Sequence, residues 1–245
     1  MTATSRSRSP RPLWPGEEAP VYISAKSRER LLRIALLITA GVAFLAALAA
    51  IERYRFANEG LRLGAVTPDR YDALGQRRGI VDLLLVSAVA AAAVLWLSWF
   101  ARIYSNLRAL GASWTRFSVP AAVMSCAVPV LNVFFAPRLL GEAWNGSDPQ
   151  SPDHSLPDDR RFPPPIVLIW VGVALLTVLV GGIAEKIAHR TLQQLGPVRS
   201  GAPLEAVAAA FLVVAALVTV RLTAALTSLQ EARAAQLSPE PDAAP

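Results

Sequence analysis

Five polar residues stand where an apolar chain tolerates them least: Arg102 and Asn106, one helical turn apart, and Asn132, Arg138 and Glu142, within and just beyond a second apolar stretch. A charge at membrane depth is costly unless it snorkels, pairs or faces water. Arg102 therefore has two uses. It reaches cytoplasmic headgroups beside the interfacial Trp96 and Trp99, or it pairs with Glu142 while Asn106 and Asn132 complete a polar cluster holding two segments together. Glu142 also follows Arg138 by four residues, the spacing of an intrahelical pair worth about 0.2–0.5 kcal/mol. Reaction chemistry has no comparable footing. The chain contains no His-Glu-x-x-His, Gly-x-Ser-x-Gly or phosphate-loop pattern, and no nucleophile is visibly paired with a base. His154 with Asp153, Asp158 and Asp159 sits in a loop too flexible to fix a metal geometry, and His189 beside Glu185 reads as a polar helix end. Neither a cofactor nor enzymatic activity is expected.

The elements that position these residues follow from the apolar stretches. Ile34 to Ile51 gives 18 residues without a charge, Leu83 to Ala101 gives 19, and Ile166 to Ala184 gives 19 more after Pro163, Pro164 and Pro165. A bilayer core roughly 30 Å thick needs about 20 apolar residues of helix. Ala206 to Val220 is shorter, but Glu205 and Arg221 at its ends reach headgroups and extend it. With 53% hydrophobic residues, 17% charged and a mean hydropathy of +0.40, the chain is expected to be an all-α polytopic transmembrane helix bundle. Its spans are placed at about 31–51, 81–101, 166–184 and 204–229 within a helical domain of residues 28–235, between a basic disordered tail (1–27) and a disordered C-terminal tail (236–245).

Residues 117–137 are harder to place. They are long enough to span and carry no charge after Arg116, yet Pro120, Pro129 and Pro137 interrupt a straight helix, and Asn132 adds a buried amide. The segment is either a kinked fifth span or a re-entrant hairpin; freed backbone groups at such depth must be covered by protein or face a water-filled cavity. Lys and Arg accumulate in cytoplasmic loops. With the N-terminus inside, the re-entrant arrangement places 15 of these residues in the cytoplasm and nine outside, whereas five spans give 13 and 11. The first loop, Glu52 to Gly79, reads as a charged segment making a short helical excursion on the membrane surface, and Asn145 to Arg161 as irregular chain.

A net charge of +6 would suit nucleic acid, but the basic residues flank spans, where they set orientation; no nucleic-acid partner is expected. The bilayer is the expected partner, with anionic lipids attracted by Arg6, Arg8 and Arg11 at about 1 kcal/mol per residue near the surface. The first span reads as an uncleaved signal anchor. Small residues at four-residue spacing, such as Ala43 with Ala47 and Ala88 with Ala92, allow close helix approach, within one chain or in a homo-oligomer or with another membrane protein. Cys126 can form no intrachain disulfide.

The run Trp99, Phe100, Ala101, Arg102, Ile103, Tyr104, Ser105, Asn106, Leu107, Arg108, Ala109, Leu110, Gly111 is followed by Pro129, Val130, Leu131, Asn132, then Pro137, then Glu142, Ala143, Trp144. This succession resembles the bacterial domain of unknown function 4328 family, over roughly Leu31 to Arg233. The aromatic cluster usual ahead of the first proline is replaced by Met124, Ser125, Cys126, Ala127 and Val128. The resemblance implies a multi-pass bacterial membrane protein and no particular activity. The expected function is a non-enzymatic structural or regulatory component of the cell envelope in the bacterial plasma membrane; a small transporter or pore with 117–137 lining its cavity is the alternative.

Overall fold

The computed structural model describes residues 21–64, 68–112, 115–150, 163–189 and 195–237. They form six helices: α1 (Lys26–Leu63), α2 (Pro68–Ala109), α3 (Val119–Ala127), α4 (Pro129–Ser147), α5 (Pro165–His189) and α6 (Leu195–Leu237). No strand occurs among the described residues. Four helices, α1, α2, α5 and α6, are long and apolar enough to cross a membrane, so the all-α bundle with four spans stands. Residues 1–20 and 238–245, and the loop carrying His154, lie outside the described residues.

The helices outrun the spans expected for them. At 38 and 42 residues and 1.5 Å per residue, α1 and α2 are about twice as long as a 30 Å core is thick. The segment from Glu52 to Gly79, expected as a short helical excursion on the surface, is helical over its described residues except Gly64, as the continuations of α1 and α2. No proline interrupts Glu52 to Leu63, and α1 stops only where Gly64 takes a positive φ of 68°, the left-handed conformation glycine adopts freely. Pro68 then opens α2, its missing N–H harmless in a first turn.

Segment 117–137 is not one helix. Val128 is extended (φ −84°, ψ 117°) and serves at once as the C-cap of α3 and the N-cap of α4. Pro129 is the cause: it cannot donate a hydrogen bond and pushes the preceding residue out of helical geometry. The nine residues of α3 reach about 13 Å, less than half a bilayer core. Helices α3 and α4 pack on each other, and Phe117 meets Phe135 edge to face with centroids 5.7 Å apart.

The chain divides into two compact units. Unit 1 comprises residues 1–29, 97–167 and 224–245. Its described part gathers the N-terminal end of α1, the C-terminal end of α2, all of α3 and α4, the first residues of α5 and the end of α6. Its core is Trp99, Phe100, Ile103, Tyr104, Leu107 and Leu110, each at most 1% exposed. Helix α2 ends there in a double cap, with Ala112 N–H bonded to Leu107 O (2.9 Å) and Gly111 N–H to Arg108 O (3.2 Å), Gly111 having φ 90°. This is the Schellman arrangement, which needs glycine at the turn. Gly146 of α4 lies so close to this cap that a Cβ there would stand 3.0 Å from Leu107 Cδ2.

Unit 2 comprises residues 30–96 and 168–223, the greater part of all four spans. Small residues let helices approach: Ala43 and Ala92 are buried, and the Thr39 hydroxyl reaches the Ala88 carbonyl across α1 and α2 (3.3 Å). Trp96 stacks on Trp170 at 5.9 Å, and the Trp170 indole donates to Thr219 Oγ1 (2.9 Å). The outer faces carry exposed Leu37, Ile38, Leu83, Val86, Val178 and Leu179, surfaces suited to lipid.

Candidate functional site

Two polar assemblies emerge, one in each unit. That of unit 1 centres on Asn106 and Gln230, 2% and 0% exposed. The Asn106 amide donates to Gln230 Oε1 (3.1 Å) and Ile23 O (2.9 Å), and its carbonyl accepts from Ile23 N–H (3.3 Å). Gln230 in turn donates to Ile103 O (2.9 Å) and Ser147 Oγ (3.1 Å). Two carboxamides thus tie the ends of α2, α4 and α6 to the extended chain that leads into α1. Beside them the Trp99 indole donates to Thr227 Oγ1 (3.0 Å). Glu231, on the next position of α6, accepts from Tyr22 (3.0 Å) and Ser24 and pairs with Lys26 (3.2 Å). Burial and that carboxylate together push the Tyr22 phenol above its ordinary range, so it remains a donor.

Glu142, 8% exposed, has a separate set of partners. Tyr104 donates to one carboxylate oxygen (3.0 Å), and the Arg116 guanidinium pairs with the other (3.0 Å). Burial pushes this carboxyl above the usual carboxylate range, against the opposing pull of the Tyr104 hydroxyl and of Arg116.

Of the five residues singled out by spacing, Asn106 and Glu142 are buried at these two centres, and the other three are not drawn in. Arg102 is half-buried and Arg138 exposed, and neither side chain has an ionic or hydrogen-bond partner among the described residues. Asn132 is half-buried, its backbone N–H bonded to Val128 O (2.8 Å). The expected Arg102–Glu142 pair does not form. At about 100° per residue the side of α2 facing α4 carries Tyr104, and the Schellman turn brings Arg116 back over the helix end to take the place assigned to Arg102. The intrahelical Arg138–Glu142 pair is likewise replaced by these contacts.

The assembly in unit 2 was not foreseen. A cleft of about 500 Å3 opens among α1, α2, α5 and α6. Its charged lining includes Arg53, Arg78, Asp82 and Glu205: Glu205 pairs with Arg53 and with Arg78 (3.3 Å), and Arg78 also with Asp82 (3.2 Å). A signal for it exists in the sequence, because the uncharged stretches of the four spans end or begin at Glu52–Arg53, Asp82, Glu185 and Glu205. No residue of 117–137 lines this cleft. Among the described residues, no group of His, Cys, Asp and Glu side chains has the makings of a metal site.

Residues 62–228 match the family described as Domain of unknown function (DUF4328), more than half of the chain. The chain belongs to the DUF4328 family. No curated protein and no solved structure matches it. Within this DUF4328 chain the matched region runs from the end of α1 through α2, α3, α4 and α5 into α6. It therefore contains the capped end of α2, the Glu142 centre and the Asp82 and Glu205 sides of the cleft, while Gln230 and Glu231 lie just beyond it.

Proposed function

We propose that this DUF4328 protein is a non-enzymatic structural or regulatory component of the bacterial cell envelope, held in the plasma membrane by four spans with both termini in the cytoplasm. Four crossings return the chain to its starting side, which then holds 15 of its 24 Lys and Arg residues, as cytoplasmic segments do. Helices α3 and α4 form a re-entrant or membrane-surface element on that side. One observation carries the reading: in unit 1 the buried polar groups of Asn106, Gln230, Ser147 and Glu142 are bonded to other groups of the same unit. A network closed in this way fixes a single packing and leaves a rigid platform, to which Asn106 and Glu231 fasten the segment following the basic tail.

A second reading, a small transporter or pore, draws support from the charged cleft of unit 2 rather than from segment 117–137. Two experiments separate them. Reporter fusions after Pro245 should give a cytoplasmic signal; an external one would overturn the four-span topology. Purified protein in liposomes should pass neither protons nor small organic ions, and a flux abolished by Glu205→Gln would replace the structural reading with the transport one.

A further inference from the structure

We propose that the cleft of unit 2 is a binding site for the head of a zwitterionic phospholipid, one bearing a phosphate and a primary ammonium, with the start of an acyl chain lying over its apolar floor. The shape comes first. Ala46, Ala49, Leu85, Gly181, Ala208 and Leu212 form much of the floor, while Arg53, Arg78, Asp82 and Glu205 supply charge. Ala46 and Arg53 are seven residues apart on α1, about 10 Å of helix, so one cavity runs from charged to apolar over the depth at which a lipid changes from headgroup to chain. The small side chains of the floor leave the room. The charges stand where the uncharged stretches of the spans terminate, at headgroup level.

Chemistry then selects the head. The side chains of Arg53 and Glu205 are only 14% and 17% exposed, and Arg53 Nε is buried with no acceptor among the described residues. A buried donor left unsatisfied costs about 1–3 kcal/mol, more when charged, so the site lacks an acceptor oxygen at this atom. A phosphate offers several, in the geometry that a guanidinium fork matches. A purely anionic head, however, would meet more carboxylates than guanidiniums, because Asp82, Glu185 and Glu205 line the cleft with Arg53 and Arg78. An ammonium three bonds or so from the phosphate removes the conflict: the phosphate takes Arg53, and the ammonium takes the exposed carboxylate of Asp82. Glu205, which bridges both arginines, is the internal competitor for that phosphate.

Thermal protection of the detergent-purified protein, with lipid counts by native mass spectrometry, tests this. Phosphatidylethanolamine should protect at concentrations about tenfold below phosphatidylcholine, which lacks N–H donors, and phosphatidylglycerol, which lacks the cation. Arg53→Lys keeps the charge but loses the fork and should abolish protection; Glu205→Gln should strengthen it; Asp82→Asn, at the exposed rim, should erase the preference for ethanolamine over choline. Should Arg53→Lys fail to fold, the Asp82→Asn result decides alone. Equal protection by all three lipids, or none by any, overturns the proposal. Protection by free phosphoethanolamine equal to that of the lipid keeps the head site and removes the membrane lipid as its source.

Discussion

Replacing Asn106 by Leu and Gln230 by Met, singly and together, interrogates the unit 1 network at its centre. Asn106→Leu keeps the branching and the number of heavy atoms but strands Gln230 Oε1 and frees the backbone of Ile23. Ile23 is 50% exposed, so water replaces its lost partner, and the cost concentrates on Gln230, about 1–3 kcal/mol for one buried orphan. Gln230→Met strands one Asn106 donor, about 1–3 kcal/mol, because Ile103 O stays within the bonding of α2 and the Ser147 hydroxyl still donates to Ala143 O. In the double variant no amide remains to be stranded by the other's loss, and removing both partners of a buried pair is far cheaper than removing one. The double should therefore be less damaging than the sum of the singles by about 1 kcal/mol or more. Interhelical hydrogen bonds in membranes average about 0.6 kcal/mol in such cycles, with a maximum of about 1.7, because the unfolded chain also finds partners, and this doubly tied pair is expected in the upper part of that range. For a chain this long, 1 kcal/mol moves the midpoint by about 2–4 °C, readable from loss of the monodisperse species on heating in detergent. Additivity within about 0.5 kcal/mol would mean that the two carboxamides do not act as a unit, and the rigid-platform reading would go with it.

Gly146→Ala should destabilise by about 1–2 kcal/mol, since its Cβ would stand 3.0 Å from Leu107 and 3.4 Å from Ala112. Gly41→Ala, with nothing within 4 Å, should be neutral or stabilise by up to about 1 kcal/mol; equal effects at both positions would sink the packing argument. Glu142 has a folded pKa raised above its ordinary 4.5, so the stability it contributes is present below that value and is lost as pH rises through the folded one. Relative to Glu142→Gln, the unaltered protein should lose denaturation midpoint between pH 4 and pH 8, and a difference growing the other way would show the Arg116 pair outweighing burial. Cys126 is 4% exposed, and its thiol should resist a water-soluble maleimide in the folded protein, with rapid labelling instead indicating that α3 opens to water.

The spans were legible because uncharged length without a proline break separates them from the other elements; segment 117–137 has the length but not the continuity. Their true extents were not, because charge ends a span without ending a helix: Glu52 to Leu63 continues α1 until Gly64 stops it. The break at Val128 was legible for the opposite reason, a proline acting on its own neighbours. Long-range pairing resisted such reading. Spacing on α2 gives Asn106 a helical face but not Gln230, 124 positions away, and it could not place Arg116 over Glu142 without the turn that Gly111 makes.

The two polar assemblies differ in a way that bears on what each can do. Around Asn106 and Gln230 in unit 1 the buried groups are amides, hydroxyls and carbonyls in complementary pairs, and such a set has one good arrangement. In unit 2 the cluster beside the cleft is ionic, and Glu205 is shared between two arginines. An ionic cluster of that kind has a nearby alternative whenever another anion can take the place of Glu205. A ligand shifts an equilibrium only by binding one state better than another, and a headgroup phosphate that releases Glu205 would do that at this cluster, whereas nothing comparable can exchange into the closed network of Asn106 and Gln230. If the cleft takes such a headgroup, responsiveness belongs to the spans, and rigidity to the helix ends gathered in unit 1.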